Sequence, residues 1–260
     1  MEKEREEQVI SLCQKLIQQK SYSGEESGVV GVLSENMKQM GFDEVTVDKY
    51  GNIIGCIKGN RPGKKVLFDG HIDTVPVTEE AEWLYPPFAA EIHDGKIYGR
   101  GTSDMKGAVA AMTCAASNYA KDTGKDFAGE IYVAGVVHEE CFEGVAAREI
   151  SKNVRPDYVV IGEASQLNLK IGQRGRAEIV IETFGKPCHS ANPEKGINAV
   201  YKMAKVIGAI RTLVPTHHPV LGDGILELTD IKSAPYPGAS VVPEYCRATY
   251  DRRLYYTNLP

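Results

Sequence analysis

The sequence predicts an α/β fold with a mostly parallel sheet, followed by a smaller α+β unit. Three observations predict it. Strand-like apolar segments alternate with helical ones between residues 42 and 165, and the segment KKVLFDGH is apolar without alternation, as strands buried on both faces are. Near Gly172 the pattern changes, because RGRAEIVIETFG alternates like a half-buried antiparallel strand. We therefore predict two domains, residues 1–172 and 173–260.

The first domain is expected to begin with two helices. The segment EREEQVISLCQKLIQQK carries apolar residues at helical spacing. In the next helix Ser23 is the expected N-cap, Glu26 completes a capping box and Gly41 ends the helix. Three strands are then predicted, FDEVTVD, NIIGCIKG and KKVLFDGH.

Helices and strands continue to alternate along the rest of the chain. The small-residue segment GAVAAMTCAASNYAK predicts a helix that packs closely on the sheet. The strands GEIYVAGVVHEE and DYVVIGEAS follow, with the helix EGVAAREISKN between them. In the second domain the helix PEKGINAVYKMAKVIGAIRTL precedes the strands DGILELTDIKS and SVVPEYCRATYDRRL. One helix with three alternating strands is typical of a small α+β domain.

Composition argues against several classes of function. The 260 residues carry a formal net charge of -5 and no basic stripe, so no nucleic-acid partner is expected. No apolar run approaches the roughly 20 residues that span a bilayer, so no membrane partner is expected either. The charged start MEKEREEQVI does not resemble a secretory signal, and the six cysteines include no C-x-x-C pair. We expect reduced thiols and a cytoplasmic protein.

Ionisable side chains stand where three of the predicted strands end. These ends read GHIDT, VVHEE and VIGEAS, and the glycine-rich loop YGRGTSDMKG lies between the first two. The carboxyl ends of parallel strands share one edge of a sheet, so these groups are expected to converge. The converging residues are His71, Asp73, Asp104, Glu139, Glu140 and Glu163. Without a cation they would repel one another and be costly to desolvate.

A divalent metal removes this repulsion. Histidine nitrogen with carboxylate oxygens, and no cysteine, suits a catalytic zinc with an open position. Five or more ligands exceed one tetrahedral site, which favours two metals that share a bridging carboxylate. Asp73 follows His71 by two residues on a strand, faces the same side and can orient the imidazole. Neighbouring side chains diverge, so one of Glu139 and Glu140 can bind metal while the other is the general base.

Four motifs in order, HIDTVP, YGRGTSDMKG, HEE and IGEAS, resemble a family of two-zinc metallohydrolases that includes acetylornithine deacetylase, succinyl-diaminopimelate desuccinylase and glutamate carboxypeptidase. The second domain is similar to the family's inserted lid and dimerisation domain, through GKPCHSANPEKGINAV and PGASVVPEYCRATYDRR. The whole chain is most similar to a bacterial branch linked to selenium metabolism. The resemblance implies an α/β catalytic domain with two zinc ions, cobalt and manganese being alternatives, and a homodimer formed through the lid.

The resemblance also implies which residues bind the metals and the substrate. His71 and Glu163 would bind one zinc and Glu140 the other, with Asp104 as the bridge. The substrate would be a small molecule with an amide bond, an N-acyl amino acid or a dipeptide. Arg253 matches the position that holds a substrate carboxylate in the family, a bidentate task suited to arginine.

Three further residues match the family's catalytic positions. Asp73 would orient the metal-binding histidine, and Glu139 would be the general base that activates a metal-bridging water. His189 would reach the active site of a neighbouring subunit and stabilise the oxyanion. Together these assignments imply a zinc-dependent amidohydrolase or metallopeptidase.

One element of the family pattern is missing. The family supplies a further histidine ligand from a segment that returns to the catalytic domain after the lid, whereas this sequence ends at DRRLYYTNLP, inside the apparent lid. We therefore expect a C-terminally truncated chain whose open strand edges make it poorly stable or prone to associate. The alternative function is that of a catalytically incomplete fragment, which binds metal or dimerises without turnover.

Overall fold

The computed structural model describes residues 2–78, 80–142, 144–170 and 172–255. The chain forms two compact units, Met1–Leu167 and Asn168–Pro260. This division lies a few residues before the boundary predicted at Gly172, and the assignment of one unit as catalytic domain and the other as lid stays a prediction.

The first unit is an α/β structure. Its helices are α1 (Glu2–Ile17), α2 (Ser27–Gln39), α3 (Gly107–Thr123) and α4 (Val145–Val154). Its strands are β1 (Glu44–Val47), β2 (Ile53–Lys58), β3 (Arg61–His71), β4 (Glu91–His93), β5 (Lys96–Tyr98), β6 (Ala128–Val136) and β7 (Tyr158–Ile161). The main sheet has the order β1-β2-β6-β3-β7, and β4 and β5 form a separate hairpin that the sequence analysis did not predict.

The main sheet is mostly parallel, as predicted. Strand β3 pairs in parallel with β6 and β7, whereas β2 runs antiparallel to β1 and β6. Gly70 on β3 faces the small-residue helix α3, and a Cβ there would lie 2.7 Å from Met105 Cε and 2.9 Å from Val109 Cγ2. A larger residue would therefore push this helix away from the strand that carries His71.

One expected helix start is wrong. The second helix begins at Ser27 with Glu26 in the N-cap position, and no side chain caps it. The hydroxyl of Ser23 donates instead to Asp73 Oδ2 at 2.7 Å. A tertiary hydrogen bond to a buried carboxylate has replaced the local cap, because a charged acceptor makes the stronger bond.

The second unit is a three-stranded antiparallel sheet with one long helix. Its elements are β8 (Gly175–Phe184), α5 (Ala199–Ile210), β9 (His217–His218), β10 (Gly222–Asp223), β11 (Ile225–Ala234) and β12 (Tyr245–Leu254). The sheet order is β11-β12-β8, and α5 buries Met203 against Ala248 and Tyr250. The helix starts at Ala199 rather than at Pro193, because the Asn198 side chain accepts the first free N–H groups and ends the preceding loop.

Strand β7 leaves an apolar edge uncovered. Its four residues are exposed by 61%, 50%, 47% and 58%, from Tyr158 to Ile161. Parallel strands are normally buried on both faces, and an open edge also presents unpaired N–H and C=O groups. Among the described residues, no helix combines the length and the apolar character that spanning a bilayer requires.

We expect the 260-residue chain, purified by itself, to associate through β7. Val160→Lys should then weaken association by at least several-fold, because a charge on an edge strand opposes strand addition. Val47→Lys is the matched control, since Val47 lies on β1 at the other edge and is 52% exposed, close to the 47% of Val160. Sedimentation velocity over a concentration series measures the effect. A monodisperse monomer at every concentration would contradict the prediction.

Candidate metal centre

The end of β3 presents His71 to the edge of the sheet. The side chain is 2% exposed, and its Nδ1 lies 3.0 Å from the main-chain oxygen of Asp73. This contact leaves Nε2 for the site, 2.8 Å from Asp104 Oδ1 and 3.5 Å from Glu163 Oε1. One buried imidazole thus faces two exposed carboxylates in the manner of a metal ligand.

The described residues contain two groups of potential metal ligands, and they share His71. One group joins His71 with Asp104 and Glu140, and the other joins it with Glu139 and Glu163. Within each group the ligand atoms lie within 4.8 Å of one another. The structure therefore brings together every residue that the sequence analysis named as a metal ligand, together with the expected general base. Which group binds which metal stays a prediction.

The loop before α3 places Asp104. Residues Thr102–Lys106 form an irregular turn in which the backbone of Asp104 is extended, with φ -132° and ψ 94°. Gly101 precedes it with φ 87°, and a Cβ at that position would lie 2.8 Å from Thr74 Cγ2. Glycine is therefore required there on two grounds, conformation and space.

Lys106 has a role in the site that was not predicted from the sequence. Its side chain is fully buried, and its ammonium donates to the main-chain oxygens of Leu16 at 3.1 Å and Gln19 at 2.8 Å. One oxygen lies in the last turn of α1 and the other two residues beyond its end, and carbonyl groups at the C-terminus of a helix attract a cation. Burial lowers the pKa of Lys106 to about 8. The lysine ties the Asp104 loop to α1, and its position two residues after an acidic ligand gave no local signal of this role.

Asp73 has more partners than the orientation of His71 requires. It is fully buried, accepts from Ser23 Oγ at 2.7 Å, and accepts from the backbone N–H groups of Glu139 and Glu140 at 3.1 Å each. Burial alone would raise its pKa, but the hydrogen bonds from His71, Ser23 and the Glu140 N–H outweigh that effect and lower the pKa. The carboxylate is therefore held ionised beneath the turn that carries the two glutamates.

The remaining acidic groups leave the site short of positive charge. Burial first, and then the charge of Asp104, raises the pKa of Glu140 and of Glu163. Burial would lower the pKa of His71, yet hydrogen bonds to Asp73 and Asp104 and the charge of Glu163 raise it to about 10. A proton on the imidazole partly neutralises the cluster. A divalent cation does so more fully, and this set of nitrogen and oxygen donors fits one.

Two predicted site residues belong to the second unit. His189 forms an isolated bridge with Val241, and its Nδ1 accepts from the backbone N–H of Ala191 at 3.1 Å. Arg253 pairs with Asp251 at 3.0 Å on β12. Their assignments to the oxyanion and to a substrate carboxylate stay predictions.

Comparison with known proteins agrees with this combination of fold and site. Residues 67–225 match the model of peptidase family M20/M25/M40. The chain therefore belongs to this family, as the four sequence motifs predicted.

Curated relatives include the Escherichia coli protein YgeY, which is 36% identical over 238 residues, covering 90% of this chain and 58% of the relative. Succinyl-diaminopimelate desuccinylase 2 of a Ruegeria species is 29% identical, covering 94% of this chain and 65% of its own length. The chain thus spans less than two thirds of the length of these two relatives.

Solved structures share the fold at low identity. The M20 metallo-carboxypeptidase Sso-CP2 of Sulfolobus solfataricus has a TM-score of 0.73 at 17% identity, covering 98% of this chain and 72% of that one. The dipeptidase Dug1p of Saccharomyces cerevisiae has a TM-score of 0.70 at 18% identity, covering 96% and 70%. These matches confirm the predicted fold class.

Asp69 is a carboxylate beside the site that the ligand groups do not use. It stands on β3 two residues before His71, and its Oδ1 is buried without a hydrogen-bond partner among the described residues. Burial, and then the charge of Glu163, raises the pKa of Asp69 to about 6 from an ordinary 3.8. The folded chain therefore retains a proton on Asp69 at pH values where the unfolded chain has lost it.

This raised pKa predicts a pH-dependent stability. Between about pH 4 and 6 the contribution of Asp69 to the free energy of unfolding falls as pH rises, because the folded state binds the extra proton, and this loss persists above pH 6. Asp69→Asn should remove that loss. The variant's free energy of unfolding should therefore exceed that of wild type by an amount that grows between pH 4 and 6 and reaches at most about 3 kcal/mol at pH 7. Urea unfolding with a chelator present, followed by fluorescence of the single tryptophan, Trp83, measures it.

Asp94→Asn at an exposed position outside the site is the control. The free energy of unfolding of this variant should differ from that of wild type by the same amount at each pH. If the difference in the free energy of unfolding between Asp69→Asn and wild type is also independent of pH, the raised pKa of Asp69 is refuted.

Proposed function

We propose that this chain carries the metal-binding part of a zinc-dependent hydrolase that cleaves the amide bond of a small N-acyl amino acid or dipeptide-like substrate. The observation that carries the proposal is the convergence of His71 with four carboxylates in two overlapping ligand groups. Relatives named as desuccinylases, and neighbours in structure named as a dipeptidase and a carboxypeptidase, support this substrate class.

The assignment of metal ligands follows the family resemblance, and each assigned residue lies in one of the two ligand groups. His71 Nε2 and Glu163 would bind one ion and Glu140 the other, with Asp104 between them. Imidazole and carboxylate ligands without a thiolate favour zinc, and cobalt or manganese would be accepted by the same donors. When bound, such ions supply the Lewis acidity that polarises the substrate carbonyl.

Glu139 would move the proton. In the proposed reaction its carboxylate accepts a proton from the attacking water and passes that proton to the leaving nitrogen, so that the amine departs neutral. The backbone N–H of Glu139 is fixed by Asp73 at 3.1 Å, which limits the positions that the side chain can take. A general base must lie within hydrogen-bond reach of the water, and a fixed backbone serves that requirement.

The second unit would complete the site across a dimer. We assign it as the lid through which two chains pair, with His189 supplied to the partner's oxyanion and Arg253 to a substrate carboxylate. The open edges of β8 and β11 and the exposed side chains of Phe184 and Tyr201 support a protein interface there. The spacing of the cysteines supports a cytoplasmic location.

The second candidate is a fragment that binds metal or dimerises without turnover. The uncovered apolar strand β7 favours it, because in a complete catalytic domain a parallel strand of this kind is buried on both faces. The two candidates differ in metal stoichiometry and in turnover.

The number of metals per chain separates the two candidates. A complete site should retain two zinc ions per chain after gel filtration, measured by elemental analysis, whereas the incomplete fragment should retain one or none. His71→Ala should reduce retention most, because this residue belongs to both ligand groups. Retention of zinc that is unchanged by His71→Ala would refute the proposed centre.

Glu139 and its neighbour should respond differently to loss of charge. Glu139→Gln should leave zinc content unchanged and reduce hydrolysis of N-acyl amino acids by at least about 100-fold, because the proposed base is lost while the four proposed metal ligands remain. Glu140→Gln is the matched comparison and should reduce zinc content itself. Release of free amine and elemental analysis on the same samples give both values. Turnover retained by Glu139→Gln would exclude Glu139 as the base.

A further inference from the structure

The loop between α1 and α2 lies against the candidate metal centre. The Ser21 hydroxyl donates to the main-chain oxygen of Ile72 at 2.7 Å, and the N–H of Thr74 donates back to the main-chain oxygen of Ser21 at 2.9 Å. The N–H of Val77 donates to the Tyr22 hydroxyl at 3.1 Å. The loop therefore follows the segment that leaves β3 and carries Asp73.

Three consecutive backbone N–H groups in the turn after β6 each donate to a buried carboxylate. His138 N–H donates to Glu26 Oε1 at 3.0 Å, and the N–H groups of Glu139 and Glu140 donate to the two oxygens of Asp73 at 3.1 Å each. Glu26 is 5% exposed and Asp73 is fully buried. A buried carboxylate requires hydrogen-bond donors, and consecutive N–H groups provide them.

The turn adopts a conformation that needs such support. His138 has φ 58°, a left-handed value that is uncommon for a residue with a side chain. The N–H of this residue donates to Glu26, and those of the two residues after it donate to Asp73. The two carboxylates thus compensate for a backbone that sequence preference alone would not favour.

Residues of the α1–α2 loop fix both carboxylates. Ser23 Oγ donates to Asp73 Oδ2 at 2.7 Å, the shortest of the hydrogen bonds described for Asp73. Glu26 Oε1 also accepts from the N–H of Gly24 at 2.9 Å, which holds its carboxylate within the loop. Both carboxylates are therefore oriented by a part of the chain more than 100 residues before the turn.

We infer that Ser23 and Glu26 are positioning residues that set the turn bearing Glu139 and Glu140. Neither side chain belongs to a metal-ligand group. Glu26 acts on the turn directly, through the His138 N–H, and Ser23 acts through the orientation of Asp73. The consequence for metal binding rests on the proposed function, because it requires Glu140 to be a ligand. The consequence for the backbone of the turn does not.

The test compares variants that remove the hydrogen bonds of Ser23 and Glu26, variants that retain them, and a matched control. Ser23→Ala and Glu26→Ala remove the hydrogen bonds, while Ser23→Thr and Glu26→Gln retain a hydroxyl donor and an oxygen acceptor. Ser117→Ala is the control, because its buried hydroxyl donates to the main-chain oxygen of Met40 at 2.8 Å, outside the site. It should lower the thermal midpoint without affecting the metal centre.

Two measurements follow the centre in the full chain. Zinc affinity is obtained by competition with a chromophoric chelator, and visible absorption of the Co²⁺-loaded protein reports ligand geometry. Ser23→Ala and Glu26→Ala should each weaken zinc binding by roughly 10- to 100-fold, the usual cost of losing a residue that orients ligands. They should also change the Co²⁺ spectrum, and Ser23→Thr should restore both. Affinities within two-fold of those of Ser117→Ala would overturn the inference.

Hydrogen exchange of the metal-free chain tests the backbone without metal. The N–H groups of residues 138–140 should exchange at least 10-fold faster in Ser23→Ala and Glu26→Ala than in wild type or Ser117→Ala. If wild type binds no zinc, the proposed function fails, and the exchange rates alone then decide whether these residues position the turn. Unchanged exchange in both variants would overturn the inference whatever the metal content.

Discussion

Repulsion among carboxylates gathered at one edge of the sheet is the constraint on which the rest of this structure depends. The chain meets it in two ways. Asp73 and Glu26 are buried, and hydrogen bonds from backbone N–H groups and a hydroxyl stabilise their carboxylates. Asp104 and Glu163 remain accessible around a buried imidazole, where only a proton or a metal ion can balance their charge. The first pair is thereby held in place without a cation, and the second pair leaves negative charge beside His71 that a divalent cation would balance.

The central position of β3 allows this arrangement. The strand lies between β6 and β7, both parallel to it, so that three carboxyl ends meet at one edge. Gly70 lets α3 approach the strand, and α3 in turn follows the loop that presents Asp104. Lys106 anchors that loop to the end of α1. Packing of small residues and the buried ammonium of Lys106 therefore determine where the Asp104 carboxylate is placed.

The sequence predicted the parts of this structure whose cause is local. Apolar runs predicted the strands, and their polar ends predicted the convergence of His71 with the acidic residues, because parallel strands place their ends together. Helix α3 was predicted to begin at Gly107, where it does begin. The order of motifs predicted the family. In each case a short segment contains the information.

The remaining features depend on contacts between distant segments. Ser23 has the sequence context of an N-cap, and its actual acceptor lies 50 residues further along the chain. The burial of Lys106 depends on where α1 ends, and the hairpin of β4 and β5 consists of strands of three residues each, too short to give a periodic signal. The left-handed backbone at His138 is supported by Glu26 from another element. Local patterns in a single sequence do not indicate which distant residues will form these contacts.

The proposed dependence of the glutamate turn on the α1–α2 loop has a consequence for how shortened versions of this chain are judged from sequence. A chain beginning at residue 27 would keep every predicted metal ligand, the expected base and all four family motifs. A search that scores those positions would accept it as complete. Yet it would lack the acceptor for the His138 N–H and the donor that orients Asp73, so the inventory of ligands would be intact while their geometry was not. For this chain, the α1–α2 loop and the motifs together therefore describe the centre better than the predicted ligands alone.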